Sequence, residues 1–143
     1  MADLGLTFDS GIKSIELSDG KGHSIEVQFN PYDPLFLGKI MTTAEELDAI
    51  QQKIRRHEVT EWKELYQMSM DTDKEMRAVL DALFEVPICD ALFPHQTVHA
   101  LGKGFPAWVN LLYALIDHMD AGLTSEKLSA QQRIRKYSEK YKK

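Results

Sequence analysis

The most apolar stretch of the chain covers residues 105–121, with the sequence FPAWVNLLYALIDHMDA. Its large apolar residues recur at steps of four, three and four, at Trp108, Leu112, Leu115 and Met119. This spacing predicts a helix with a continuous apolar face. Pro106 suits a first helical turn, and Gly122 suits the residue that ends a helix. We therefore predict a central helix over residues 105–121 that the rest of the chain encloses.

A different pattern near the start of the chain is typical of β-strands. Apolar residues alternate with polar ones on both sides of a glycine-containing turn at residues 19–22: Ile15 and Leu17 before it, Ile25, Val27 and Phe29 after it. Period-two alternation around such a turn predicts a β-hairpin over residues 12–29. Two strands are marginally stable alone, so the apolar face should lie on helices or join a sheet from another copy.

Helical spacing dominates the segment between the hairpin and the central helix. Asp33 followed by Pro34 predicts a helix start, and a short apolar helix follows through Met41. Capping-box sequences, in which a threonine and a glutamate serve each other's N–H groups, begin at Thr43 and Thr72. They predict two further helices, of which the first runs with a bend to about residue 70.

Two breaks complete this part of the pattern. Pro87 predicts the end of the helix that starts at residue 72, followed by a short buried turn that includes Ile88 and Leu92. Residues 95–104 show no periodicity, and we predict a loop there.

The last 20 residues differ in charge from the rest. Residues 124–143 carry seven basic and two acidic side chains, a net charge of +5, whereas the remainder carries ten basic and twenty acidic ones, a net charge of −10. A stripe of Ala130, Ile134, Tyr137 and Tyr141 predicts an amphipathic helix. The acidic body would repel a nucleic-acid backbone, so we predict that this basic helix contacts protein, in cis or on another molecule.

These patterns predict the α+β class, predominantly α, with an N-terminal β-hairpin followed by a bundle of about five helices around the central helix. The 143 residues, 43% hydrophobic and 27% charged, suit one globular domain. The predicted parts are a loose arm (1–11), the hairpin (12–29), a helical core (34–122) and a basic C-terminal helix (124–143).

Side chains that could bind a metal are few. Cys89, His95, His99 and His118 form one set, and His95 and His99 have the spacing of a helical metal pair. No CxxC or HExxH motif accompanies them. We interpret these histidines as hydrogen-bonded or solvent-facing, and we predict no metal site.

Asp117, His118 and Asp120, near the end of the central helix, are the one candidate acid/base cluster. Catalytic carboxylates need burial or like-charged neighbours to shift their pKa, and polar residues are expected where a buried helix ends. We therefore predict no catalytic residue, no cofactor and no enzymatic activity.

The chain begins without the basic start and apolar centre of a signal peptide, and no apolar run approaches the roughly 20 residues that span a bilayer. A single cysteine, Cys89, agrees with a reducing compartment. We predict a cytoplasmic protein without membrane contact.

Apolar positions left over from the central core are the candidate partner contacts. They are Ile25, Val27 and Phe29 on the hairpin, Trp62, Tyr66, Met68 and Met70 before the second capping box, and Ile134, Tyr137 and Tyr141 on the basic helix. Thioethers repack against varied partners, which suits an adaptable surface. Core packing is the alternative interpretation for Met68, Met70 and Met76.

Two stretches carry a family resemblance: FNPYDPLFLGKI at residues 29–40, and CDALFP followed by FPAWVNLLYALIDHMD within residues 89–120. Over residues 25–121 the chain resembles the tail assembly chaperones encoded by long-tailed phages and prophages of Gram-positive bacteria. The resemblance implies binding of the hydrophobic tape measure protein while tail tube subunits polymerise around it. It implies no cofactor and no catalytic residue.

A chaperone of this kind would hold its client through exposed apolar surface, which self-association would cover until the client arrives. We therefore expect a homo-oligomer, a dimer or a larger ring, with the tape measure protein and the tail tube protein as partners. Two alternatives stay open at this point. One is a structural tail or connector component of the virion, and the other is a small helical regulator that binds nucleic acid.

Overall fold

The computed structural model describes residues 3–56, 61–119 and 124–140. Its elements in chain order are β1 (Lys13–Ser18), β2 (Ser24–Phe29), α1 (Pro34–Arg56), α2 (Trp62–Phe84), α3 (Ile88–Leu92), β3 (Leu101–Gly102), β4 (Phe105–Pro106), α4 (Ala107–Asp117) and α5 (Thr124–Glu139). Five helices and an N-terminal β-hairpin within these residues confirm the predicted α+β, predominantly α class.

The hairpin has the predicted strands and the predicted inward face. β1 and β2 are antiparallel, with Ile15 opposite Val27 and Leu17 opposite Ile25. Phe29 then stacks on the ring of Phe36 in α1, with 4.6 Å between ring centroids. At Phe29 the apolar side of the hairpin therefore lies on a helix, which is one of the two placements predicted for it.

α4 lies at the centre of the core. Trp108, Val109, Leu112 and Ile116 are completely buried. The indole Nε1–H of Trp108 donates a hydrogen bond to Oε1 of Gln51 at 2.6 Å, which fixes α4 against α1. Because a buried N–H without an acceptor is costly, this bond favours the rotation of α4 that places Trp108 beside Gln51.

The bounds of the central helix differ from the prediction. α4 begins at residue 107 instead of 105, because residues 105–106 form β4 and pair with β3 in a second small hairpin. It ends at Asp117, and residues 120–121 of the predicted helix lie outside the described part. Its turn residues, Lys103 and Gly104, have φ of 56° and 86°. Two successive positive φ values are typical of the tightest β-hairpin turns, so the predicted loop over 95–104 was wrong at its end.

The two capping boxes do not start helices. α1 runs without a break from Pro34 to Arg56 through Thr43, and α2 runs from Trp62 to Phe84 through Thr72. Both threonines are buried, and packing of the helix faces around them outweighs the local capping signal. The predicted bent helix from residue 43 to 70 is instead α1 and the start of α2, and residues 57–60 lie outside the described part.

The basic helix packs in cis. Ala130 and Ile134 of α5 are completely buried, and the helix lies against α1 and α4. Nζ of Lys127 donates to the carbonyl oxygen of Met119 at 3.2 Å, and Nζ of Lys140 pairs with Oδ2 of Asp48 at 3.0 Å. The apolar stripe of α5 is thus used within the chain.

Candidate protein-binding surfaces

The second half of α2 is anchored by a buried carboxylate. Oδ1 of Asp73 accepts a hydrogen bond from the backbone N–H of Val98 at 2.7 Å, and Oδ2 accepts from Nε of Arg77 at 2.8 Å. The Arg77 guanidinium also donates to the carbonyl oxygens of Phe93 and Gln96, at 2.6 and 2.7 Å. These bonds hold the segment after α3 against α2.

The first half of α2 is different, because none of residues 61–71 is buried. Nζ of Lys53, one turn from the end of α1, pairs with Glu75 at 3.3 Å, so the described part of α1 ends opposite the middle of α2. At roughly 1.5 Å per residue, some 15 Å of α2 extend beyond that point. We call the apolar residues of these turns the α2 ridge: Trp62, Leu65 and Tyr66, with 73%, 45% and 59% of their surfaces exposed.

The methionines near the ridge divide between surface and core. Met68 and Met70 are half-buried, and Met76 is completely buried. Nε2 of His99 lies 3.2 Å from the carbonyl oxygen of Ser69, which ties this part of α2 to the loop before β3. Core packing is therefore the correct interpretation for Met76, whereas Met68 and Met70 border the ridge.

A second exposed apolar segment precedes the hairpin. Residues 3–10 are all exposed, and Leu4, Leu6 and Phe8 have 89%, 98% and 83% of their surfaces exposed. We call residues 3–9 the arm. These residues belong to the loose arm predicted over residues 1–11, which was not among the predicted contacts. The signal was present, since apolar residues at every second position are typical of a strand.

The other predicted contacts lie inside the protomer or at its edge. Val27, Phe29 and Ile134 are only 2%, 4% and 0% exposed, so in this fold they offer no contact to another molecule. Ile25 and Tyr137 are half-buried. Burial, together with the nearby Glu45 and Asp48 carboxylates, raises the pKa of the Tyr137 hydroxyl. Tyr141 lies outside the described residues.

A groove of about 680 Å³ separates β1 from α4 and the loop after α3. Its apolar walls include Leu17, Phe93, Leu111 and Ala114. On the β1 side, every residue from Ile15 to Asp19 lines it. The face of a strand presents only alternate residues, so an unbroken run of five shows that the groove follows the outer edge of β1.

The chemical candidates are dispersed. Cys89 is completely buried. Burial, and to a smaller extent the neighbouring Asp81 carboxylate, raises the pKa of its thiol, which disfavours the reactive thiolate. His95 is exposed and contacts His23 edge to face, with 5.7 Å between ring centroids. In the described part of the chain no three His, Cys, Asp or Glu side chains are grouped to hold a metal ion.

The polar residues at the end of α4 have structural contacts. Oδ1 of Asp117 accepts a hydrogen bond from Nε2 of Gln131 at 2.8 Å, which joins α4 to α5. His118 is exposed and contacts the ring of Phe29 at 6.4 Å between centroids. Asp120, the third member of that predicted cluster, lies outside the described residues.

Comparison with protein-family models, curated proteins and solved structures found no match for this chain. Among the described residues, no helix combines the length and apolar character needed to cross a bilayer.

Proposed function

We propose that this chain is a non-catalytic chaperone of the host cytoplasm that holds an apolar polypeptide on the α2 ridge. The family resemblance implies the client, which is the tape measure protein of a long-tailed phage, with the tail tube protein as a second candidate partner. The observation that carries the proposal is the exposure of Trp62, Leu65 and Tyr66 on one face of the first turns of α2.

The composition of the ridge suits protein recognition. Tryptophan and tyrosine are the side chains most enriched among residues that dominate binding energy, because each buries a large rigid area. Leu65 and Tyr66 follow Trp62 at steps of three and four, so all three lie on one face of the helix. An apolar helix face of this kind matches the helix-in-groove mode, in which a partner packs along residues one turn apart.

The expected strength of such a contact suits a client that must later be released. Burying three large apolar side chains contributes roughly 5–9 kcal/mol before association costs, at about 1.5–3 kcal/mol each. Lost rotational and translational freedom opposes binding by at least about 4 kcal/mol. One ridge is therefore a weak site, and several ridges in a homo-oligomer would hold a long client through avidity.

Self-association has a second role in this proposal. Exposed aromatic residues invite aggregation, and a homo-oligomer would shield the ridge until the client displaces that contact. The basic helix contributes less to recognition, because Lys127 and Lys140 already bind groups of the same chain. Those contacts weigh against the alternative of a nucleic-acid-binding regulator.

The test is co-expression with the tape measure protein. We expect the wild-type chain to raise the soluble fraction of the client and to co-purify with it, and the variant Trp62→Ser/Tyr66→Ser to lose both effects. The matched control is Leu35→Ser/Leu128→Ser, which changes two apolar residues that are 69% and 54% exposed elsewhere. The control should keep both effects, and all three proteins should have similar thermal midpoints.

Failure of the wild-type chain to solubilise or bind the client would overturn the proposal. Mass spectrometry of purified phage particles supplies a second criterion. A chaperone should be absent from mature tails, whereas stoichiometric incorporation would identify a structural component of the virion instead.

A further inference from the structure

We propose that the chain self-associates by arm exchange, in which the arm of one copy adds as a strand to the outer edge of β1 in a second copy. The side chains of Leu4, Leu6 and Phe8 would then occupy the groove between β1 and α4. The inference concerns a self-association surface separate from the α2 ridge, and it does not depend on the client or on the proposed function.

Within the described residues, the outer edge of β1 is open at Ser14, Glu16 and Ser18. The backbone N–H of Asp19 donates to the carbonyl oxygen of His23 at 3.1 Å, so the odd-numbered residues of β1 bond to β2 in the alternating antiparallel pattern. Ser14, Glu16 and Ser18 direct their backbone groups to the other side. Among the described residues no hydrogen bond reaches those groups. An open edge of this kind is a template for another strand.

The pattern of the arm matches that edge. Arm residues that bond to residues 14, 16 and 18 must be alternate residues, either the odd-numbered or the even-numbered ones. The favoured set is the one that leaves the apolar side chains on the buried face. If Asp3, Gly5 and Thr7 take the bonds, the apolar residues between them lie on the same face as Ile15 and Leu17. That face is the apolar side of the hairpin, and it lines the groove.

The length of the extended arm also agrees with the length of β1. The arm has seven residues, or about 23 Å when extended, and β1 has six, or about 20 Å. One arm therefore covers one β1 edge, and Leu4, Leu6 and Phe8, which are at least 83% exposed in the protomer, all become enclosed.

The exit of the arm favours a second copy over the arm's own groove. Nδ2 of Asn30 donates to the carbonyl oxygen of Ser10 at 3.0 Å, beside the end of β2. To reach β1 of its own chain, the arm would have to reverse within residues 9–12 and leave this contact. The bond to Asn30 holds Ser10 beside the end of β2, which lies on the opposite side of β1 from the outer edge. Two copies related by a two-fold axis can place each arm on the other's β1.

The test measures self-association of the full chain without any client, by sedimentation over a range of concentrations. We expect a wild-type dimer that the variant Leu4→Ser/Leu6→Ser/Phe8→Ser weakens on the order of 100-fold or more, because three buried apolar side chains are lost. The control Leu35→Ser/Leu128→Ser should dimerise like the wild type. The arm residues are exposed in the protomer, so the variant should keep its fold, which circular dichroism checks.

A second variant blocks the groove and makes the test specific to exchange. Ala114 is exposed on α4 and lines the groove, so Ala114→Arg should place a charge where the arm would lie. The groove variant and the arm variant should each be monomeric alone. Mixed together they should form a heterodimer, because the intact arm of one fits the intact groove of the other.

Three results would overturn arm exchange: a wild-type chain that stays monomeric at all concentrations, a dimer that the arm variant leaves unchanged, or a mixture that forms no heterodimer. A chain whose arm folds onto its own groove would also stay monomeric, and that outcome would overturn arm exchange as well. Loss of client binding by the α2 ridge variant with normal dimerisation would leave both proposals standing, so the two fail separately.

Discussion

Both halves of α2 carry apolar residues on one helix face, but those residues are buried in the second half and exposed in the first. In the second half, Met76, Leu80 and Leu83 recur one turn apart and are 0%, 0% and 7% exposed. In the first half, Leu65 and Tyr66 lie three and four residues after Trp62 on one helix face, and the three are 73%, 45% and 59% exposed. An apolar stripe at helical spacing therefore indicates that a partner surface is needed, and it does not indicate whether that surface belongs to the same chain.

The polar contacts described also differ, because the second half makes more of them with the rest of the protein than the first half does. The second half is fixed through Asp73 and Arg77 to the segment that follows α3. For the first half, the structure gives the contact of His99 with the Ser69 carbonyl and the bond from Gln67 to Asp71 within the helix. Short helices are marginal in water without tertiary packing, so the exposed half relies on continuity with the packed half.

The largest expected effect is a difference in the free energy of unfolding between a substitution in the second half and one in the first half. Leu80→Ala should lower the free energy of unfolding by about 2–5 kcal/mol, because it removes buried methyl groups and leaves a cavity. Tyr66→Ala, on the exposed half, should change it by less than about 0.5 kcal/mol. Urea denaturation of both variants under conditions where the chain is monomeric checks the contrast. Equal losses would show that the ridge is packed within the protomer.

The next effect concerns the polar anchor. Asp73→Ala should lower the free energy of unfolding by about 1–3 kcal/mol, because the buried N–H of Val98 loses its acceptor and Arg77 loses its carboxylate. Asp71→Ala is the matched control two residues earlier, since that carboxylate is exposed and accepts only from Gln67 among the bonds described. Limited proteolysis should cut near residues 93–98 faster in Asp73→Ala alone. An Asp71→Ala variant that is equally sensitive would contradict the asymmetry.

A smaller effect tests whether the exposed half opens independently. Gly in a helix is less favourable than Ala by about 1 kcal/mol. Ala78→Gly should therefore lower global stability by about that amount, whereas Gln67→Gly should mainly increase hydrogen exchange of amides within residues 62–70. Exchange mapped by mass spectrometry distinguishes the two responses. Protection of residues 62–70 on adding client would locate the binding site there.

The sequence predicted the parts of the fold in which one periodicity dominates. The hairpin follows from alternation at Ile15, Leu17 and Val27, and the central helix follows from its wide apolar face, because burial on packing is the largest force on these segments. Helix starts were less predictable. The capping signal at Thr72 is a real local preference, but Asp73 binds Val98 and Arg77 instead of serving a helix end.

The candidate surfaces show the same division. Trp62 and Tyr66 were predicted as contacts and are exposed, whereas Val27 and Ile134 have the same apolar character and are buried. Periodicity gives the face of an element, and only the packing of elements far apart in sequence decides whether another part of the chain covers it. The alternation at Leu4, Leu6 and Phe8 is present in the sequence, but the strand edge with which it could pair, that of β1, is known only from the structure.

The smallest expected effect lies at the hairpin turn, far from both halves of α2. The hydrogen bond from His23 to Oδ2 of Asp19, 2.6 Å long, lowers the pKa of the Asp19 carboxyl below its ordinary value of 3.8. A carboxyl whose folded pKa is lowered stabilises the fold above its ordinary pKa, and the contribution is lost as the pH falls through the lowered value.

NMR titration should therefore place the Asp19 midpoint below 3.8 in the wild type and move it upward in His23→Ala. Because the carboxyl lies at the surface, solvent screening keeps the effect on stability small. Acidification should consequently loosen the turn at residues 19–23 and leave hydrogen exchange in α2 unchanged. A coupled change in residues 62–70 would mean that the exposed half of α2 responds to the hairpin, and the independence assumed for it would be wrong.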